Sequence, residues 1–163
     1  MNIRLAREGD LSGFLALAAQ VEQWFGPMVD DPGFREAVVA HIRDAKALVA
    51  VEQPAATADE TAEPPLLGGL LFGSGASIHH VHWLVVSERA RGRGVGAALM
   101  GEATKRFVTG PGTVEVVTFG ADHPGAVVSG ARVFYERLGF TPAEATDPGP
   151  EGGSRQVYRL AVG

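Results

Sequence analysis

The sequence predicts an α/β sandwich, a mixed sheet of about seven strands flanked by about four helices. Three observations carry this reading. Short valine-rich runs, Val81 to Val86 and Thr113 to Phe119 among them, have the composition of buried strands. Between and before them, apolar residues recur at helical spacing, as in Val95, Ala98, Leu99 and Ala103. The helix between those two strands makes them parallel neighbours, because a parallel pair needs a long crossover whereas antiparallel strands need only a tight turn. A chain of 163 residues fits one domain, spanning 1–163, that buries roughly 70% of its unfolded surface without staples.

In chain order, Asn2 to Ala6 reads as a short strand. Asp10 is placed to cap a helix whose residues Leu11, Phe14, Leu15, Ala18 and Val21 follow a 3.6 period to about Gln23. Gly26 and Pro27 end that helix, and Trp24, Phe25 and Met28 cluster in the loop. A second helix starts at Asp31-Pro32, cap and first position, and continues through Phe34, Ala37, Val38, His41 and Ile42. Ala47 to Glu52 is a strand, and 53–65 an acidic, proline- and alanine-rich mobile loop. Leu66 to Phe72 pairs back, weakened or bulged at Gly68-Gly69, and leads through a turn into the central strand.

After that strand comes Arg91-Gly92-Arg93-Gly94-Val95-Gly96, opening a helix. Glycines let backbone amides approach a ligand closely, and the first amides of a helix lack internal partners. The turn is therefore an anion seat suited to phosphate or pyrophosphate. Gly92, Gly94 and Ala97 formally meet a dinucleotide fingerprint, but the first glycine stands too far from Val86 and Glu115 sits inside the next apolar run. Gly96-Ala97-Ala98 excludes a P-loop, and a purely structural glycine turn with solvated arginines remains open. Beyond Gly110-Pro-Gly112 lies the strand Thr113 to Phe119, then a loop, Gly120 to Val128, and a helix, Ser129 to Leu138, closed by Gly139. A sixth strand starts at Phe140 to Pro142, Ala143 to Ser154 is a loop, and Arg155 to Ala161 is the last strand.

Composition excludes several classes. With no cysteine there is no thiol nucleophile, disulfide or thiolate metal site. The net charge of −5 argues against a nucleic-acid partner. No run approaches a membrane span and the start has no apolar signal core, so a cytoplasmic location is expected. The histidines His79, His80 and His82 alternate along a strand, which leaves two on one face without an acid; no metal is expected.

Arg91-x-x-Gly94-x-Gly96 resembles the Q/R-x-x-G-x-G/A signature of the GNAT superfamily of acyl-CoA-dependent N-acyltransferases. Ala131-Arg-Val-Phe-Tyr135-Glu-Arg-Leu-Gly-Phe140 is similar to a second segment of that family, in the family's order. The resemblance implies a GNAT-like, mostly antiparallel sheet. Its two central strands splay apart to admit the pantetheine of acetyl-CoA (coenzyme A) as cosubstrate. It further implies an amine acceptor, small molecule or protein, attacking the thioester directly in a ternary complex, and it leaves room for a homodimer. Carried over by position, the amides of Arg91, Gly92, Arg93, Gly94, Val95, Gly96 and Ala97 grip the pyrophosphate, and Val85 and Val86 hold the pantetheine or polarise the thioester. Tyr135 is then the acid for the departing thiolate. His80, eleven residues before Arg91, aligns with a central-strand glutamate that serves as base in some members. Trp24, Phe25 and Met28 become candidate wall residues of the acceptor site, with His82, Asp122 and His123 as further candidates and Glu22, Asp30 and Asp31 acidic near its entrance. The chain departs from the family at Val128, where many members carry an asparagine that contacts the coenzyme. A catalytically silent acyl-CoA sensor or interaction module is the alternative reading.

Overall fold

The computed structural model describes residues 1–22, 26–52, 65–148 and 153–162, with the side chains of 127–129 outside that description. Trp24, Phe25, Gln23, most of the 53–65 loop and the side chain of Val128 thus lie outside the described residues. Seven strands are present: β1 (Asn2–Leu5), β2 (Ala47–Val51), β3 (Gly68–Gly73), β4 (Ile78–Val86), β5 (Gly112–Phe119), β6 (Thr141–Thr146) and β7 (Arg155–Val162). Five α-helices accompany them among the described residues: α1 (Leu11–Ala19), α2 (Pro32–Arg43), α3 (Val95–Phe107), α4 (Pro124–Ser129) and α5 (Ala131–Arg137). The sheet order is β1-β2-β3-β4-β5-β7-β6, antiparallel except where β4 meets β5. The expected mixed, mostly antiparallel sheet is therefore present.

Each face of the sheet carries its own core. On one face Leu48, Leu70, Phe72, Val81, Val114, Val116 and Tyr158 pack against Leu99, Met100 and Ala103 of α3 and Tyr135 of α5. On the other, Val49, Leu71 and Val85 pack against Phe14 and Leu17 of α1 and Val38 of α2. Residues two apart on a strand share a face, so β2 supplies Leu48 and Ala50 to one core and Ala47, Val49 and Val51 to the other.

Four local expectations are corrected. The segment read as a loop through Val128 contains α4, a six-residue helix too short to show a period; Gly130, at φ 68°, separates it from α5. β6 continues through Ala143 to Thr146, tolerating Pro142 because it is an edge strand. The irregularity of β3 lies between Leu71 and Phe72, not at Gly68-Gly69. Asp10 does not cap α1 with its side chain. Its carboxylate instead accepts the Arg7 amide at 2.8 Å and both ends of the Arg4 guanidinium, at 2.7 and 3.0 Å. Burial alone would raise the Asp10 pKa, but the Arg4 and Arg7 contacts outweigh it and hold the carboxyl below its usual value. At the second helix the expected cap is present: Asp31 accepts the Gly33 amide at 2.9 Å with Pro32 in the first turn.

Candidate active site

The site originates in one extra residue on β4. Leu71 of β3 lies opposite Trp83, yet Phe72 lies opposite Val81, so His82 is a β-bulge. A bulge bends its strand and increases its twist. β4 and β5 pair over Ile78–Val81 and Thr113–Val116, and the pairing stops there. Past His82 the two strands part, and a cleft of about 640 Å³ opens between Leu84, Val85 and Val86 on one side and Phe119 on the other. Further walls come from the turn before α3, through Arg91, Gly92 and Gly94, from Val95, Gly96 and Ala97 of α3, and from Phe134 and Tyr135 of α5.

At the turn, Gly92 and Gly94 have φ of 78° and 79°, a left-handed conformation costing an ordinary residue roughly 1–2 kcal/mol. A Cβ at either would meet nothing within 4 Å, so backbone conformation, not crowding, calls for glycine there. Gly94 is the N-cap of α3 and no side chain caps that end. The first intrahelical bond runs from the Ala98 amide to the Gly94 carbonyl, which leaves the amides of Val95, Gly96 and Ala97 without partners within the helix. Gly96 has a different reason to be glycine: a Cβ there would stand 2.8 Å from the Phe134 ring. The two arginines diverge. Arg91 lines the cleft, while Arg93 is not among its lining residues and its guanidinium sits 2.6 Å from the Glu52 carboxylate at the end of β2.

Tyr135 borders the cleft from α5, only 6% exposed, with its ring edge-on to Phe134, Phe140 and Tyr158. Its hydroxyl has no hydrogen-bond partner among the described residues, and burial pushes its pKa well above that of an ordinary phenol. The group therefore stays protonated at every physiological pH.

The bulge also reorganises the histidines. His79 is buried, stacked on Phe72, with Nδ1 accepting the Gly75 amide. His80 and His82 share the opposite face, as strand alternation predicts, but the bulge turns Leu84 and Val86 away from them into the core with Val81. Unbroken alternation would put all four on one face, and the extra residue at His82 is what breaks that pattern. The His80 Nε2 lies 3.3 Å from Glu115, whose other oxygen is 2.6 Å from Arg159. His82 stacks beside His80 and reaches His41 of α2, Nδ1 to Nε2, at 2.8 Å. Partial burial, and then the neighbouring His41 and His80, hold the His82 pKa below the usual imidazole value. Neither His80 nor His82 lines the cleft itself; they stand where β4 and β5 begin to part.

Other candidates are placed elsewhere. Asp122 accepts a hydrogen bond from Ser154, which lowers its pKa. His123 is buried against Phe119, and its Nδ1 accepts the Gly125 amide at 2.8 Å at the start of α4. Both are turn-forming residues outside the cleft. The Glu22 carboxylate accepts the amides of Met28, at 2.7 Å, and Val29, so it shapes the loop after α1 and is not an open acid at an entrance. Asp31 is occupied as the α2 cap, and Met28 packs on the α1-side core. His41 and Glu115 join the histidines although sequence reading assigned neither a role there. His41 carries a helix-core signal only, and its contact spans 41 positions. Among the described residues no cluster of three or more His, Asp or Glu side chains is arranged to hold a metal ion, and no helix is long and apolar enough to cross a membrane.

A mixed sheet split at its parallel pair, with an uncapped glycine turn facing the split, is the fold of the acyl-CoA N-acetyltransferases. Residues 44–142 match the family model described as an acetyltransferase (GNAT) domain. The chain belongs to the GNAT family. No curated protein matches the sequence. Among solved structures, a ribosomal-protein-alanine N-acetyltransferase from Brucella melitensis superposes with a TM-score of 0.69 at 19% identity, over 99% of this chain and 100% of that one. An agmatine N-acetyltransferase mutant in its apo form gives 0.68 at 15% identity, over 99% of each chain. A chain of the NatC complex bound to Gag peptide and CoA gives 0.71 at 13%, over 99% and 98%.

Proposed function

We propose that this protein transfers the acetyl group of acetyl-CoA to an amine by direct attack in a ternary complex. The observation that carries the reading is the single cleft that gathers the glycine turn, the unpaired end of β4 and Tyr135. The pyrophosphate would sit on the amides of Val95, Gly96 and Ala97, favoured by the positive end of α3 and by Arg91. Pantetheine would run along Leu84 to Val86 in the gap, which points the thioester at the place where β4 and β5 part. Holding amine and carbonyl together there is worth roughly 7–11 kcal/mol in favourable intramolecular cases.

Two protons leave the acceptor nitrogen. The ammonium gives the first to a base, and the freed nitrogen pair attacks the carbonyl carbon. As the C–S bond breaks, the sulfur takes the electron pair beside the Tyr135 hydroxyl, and the second proton leaves the nitrogen as the amide forms and ends on the sulfur, giving the thiol. Since burial holds the hydroxyl proton tightly, Tyr135 acts first as a hydrogen-bond donor to the forming thiolate. The proton acceptor is a histidine on the α1/α2 face, His80 or His82, both exposed at the start of the gap. The acceptor amine, of a small molecule or a protein, approaches from that face.

An acetyl-CoA turnover screen over diverse amines, read by thiol release, tests the proposal. Turnover of at least one amine that Tyr135→Phe slows would support it. Tight acetyl-CoA binding with no turnover across small amines and peptide N-termini would replace it with an acyl-CoA sensor.

A further inference from the structure

We propose that His41, on α2, is a positioning residue that fixes the tautomer of His82 so that the Nε2 atom of His82 takes the acceptor's proton; this rests on the acetyl-transfer reading above. The argument is one of donors and acceptors. His41 Nδ1 lies 2.6 Å from the Ala37 carbonyl. A carbonyl oxygen only accepts, so the proton of the neutral His41 ring is on Nδ1 and its Nε2 carries a lone pair. That Nε2 stands 2.8 Å from His82 Nδ1. The donor must then be His82 Nδ1–H, and in the neutral ring this leaves the lone pair on His82 Nε2. One helix carbonyl thus sets two rings in turn.

Position favours His82 over His80. The last β4–β5 pair is Val81 with Val116, so His82 is the first residue past the paired region, where the gap begins. His80 lies one pair inside it, with Nε2 turned to Glu115. The His82 ring lies over Gly73 of β3, where a Cβ would come within 2.7 Å of Nε2, so glycine at that position leaves room for this placement of the ring. The charged and titratable groups around His82 are His41 from α2 and His80 on its own strand, with Glu115 of β5 and Arg159 of β7 beyond His80. In the step itself an ammonium N–H bond breaks and an Nε2–H bond forms. The electron pair stays on the amine nitrogen, and the positive charge passes to an imidazolium whose Nδ1–H still has His41 as acceptor.

The test uses the full chain with labelled histidines and reads each imidazole tautomer by long-range nitrogen–proton NMR at neutral pH, with no substrate present. Beside it, kcat and KM for acetyl-CoA are measured with the best amine of the screen. Two variants separate the cases: His41→Gln, whose amide oxygen can replace the Nε2 acceptor, and His41→Leu, which removes it. Expected are the Nδ1–H form of His82 in the parent and in His41→Gln, and its loss in His41→Leu. Turnover should fall roughly 10- to 100-fold in His41→Leu with KM for acetyl-CoA unchanged, and be largely kept in His41→Gln. An Nε2–H form of His82 in the parent overturns the proposal, as does undiminished kcat in His41→Leu. Because the NMR reading needs no turnover, a failed amine screen would strike the acetyl-transfer reading and the proton transfer built on it, whereas an Nε2–H form of His82 would strike the tautomer assignment by itself.

Discussion

Gly96 and Phe134 are in contact across the α3–α5 boundary: a Cβ on the glycine would stand 2.8 Å from the phenyl ring. The third glycine of the turn therefore serves helix packing, whereas Gly92 and Gly94 serve conformation. Gly96→Val should destabilise the fold by about 1–3 kcal/mol through overpacking, and lower the melting temperature before any coenzyme is added. Gly94→Ala meets no protein atom within 4 Å and costs only the left-handed strain, about 1–2 kcal/mol. Calorimetric titration of folded Gly94→Ala is thus the cleaner probe of the anion seat, and unchanged acetyl-CoA affinity there would remove the pyrophosphate from this turn.

The two turn arginines should separate. Arg91→Ala is expected to weaken acetyl-CoA binding roughly ten-fold, the size of one charge-assisted hydrogen bond. Arg93→Ala should leave affinity within about two-fold, because its partner is Glu52 and an exposed pair contributes little. Equal losses in both variants would show that Arg93 leaves Glu52 for the ligand.

Tyr135→Phe retains the three ring contacts of Tyr135 and removes only the hydroxyl, so stability and coenzyme affinity should persist. The rate constant for turnover should fall roughly a hundred-fold or more, as for loss of a positioned acid. Parent-level turnover with the true acceptor would pass the role to water.

His82 gives a pH dependence whose sign follows from its lowered pKa. Between that value and the ordinary ~6.5, the unfolded chain binds a proton that the folded chain does not. Stability contributed by the neutral ring is complete above ~6.5 and is lost as pH falls toward the folded value. Denaturant titrations across this window should show His82→Gln losing less stability on acidification than the parent; identical slopes would contradict the shift.

Asp10→Asn removes the negative charge from a side chain that is only 4% exposed and replaces one oxygen facing the Arg4 guanidinium with an amide nitrogen that cannot accept. A loss of about 1.5–3 kcal/mol in urea unfolding is expected, as for a charged hydrogen bond, with little effect on coenzyme binding. A variant as stable as the parent would mean that solvent replaces the carboxylate.

Features encoded within a few residues were legible from the sequence alone. The valine run of β4, the glycine turn and the period of α3 are adjacent in the chain, so strand, anion seat and helix could be read in one pass. The bulge at His82 could not, because a bulge is a relation between two strands and β4 by itself shows only alternation. For the same reason alternation alone puts Leu84 and Val86 on the face of the histidines, which they do not share. His41 was read correctly as a residue of the second helix, yet its ring meets His82 only after α2 has packed on the sheet. β6 beyond Pro142 has little strand propensity of its own; pairing with β7 and the Arg159–Glu144 ion pair hold it there. Tertiary contacts decided each of these.

The end of β4–β5 pairing at Val81 and Val116 gives this sheet two edges inside the molecule as well as two at its rims. An outer edge can be extended by any passing strand, which is why proteins guard such edges. These inner edges instead face the cleft that α3 and α5 help to wall. A slender arm bearing amide groups can enter and form the rungs that β5 does not supply. On this view, selectivity for a linear, amide-containing carrier follows from where the strands separate, ahead of any side-chain contact. Its signature would be slowed hydrogen exchange on loading acetyl-CoA at Leu84 to Val86, with Thr113 to Val116, already paired, little changed.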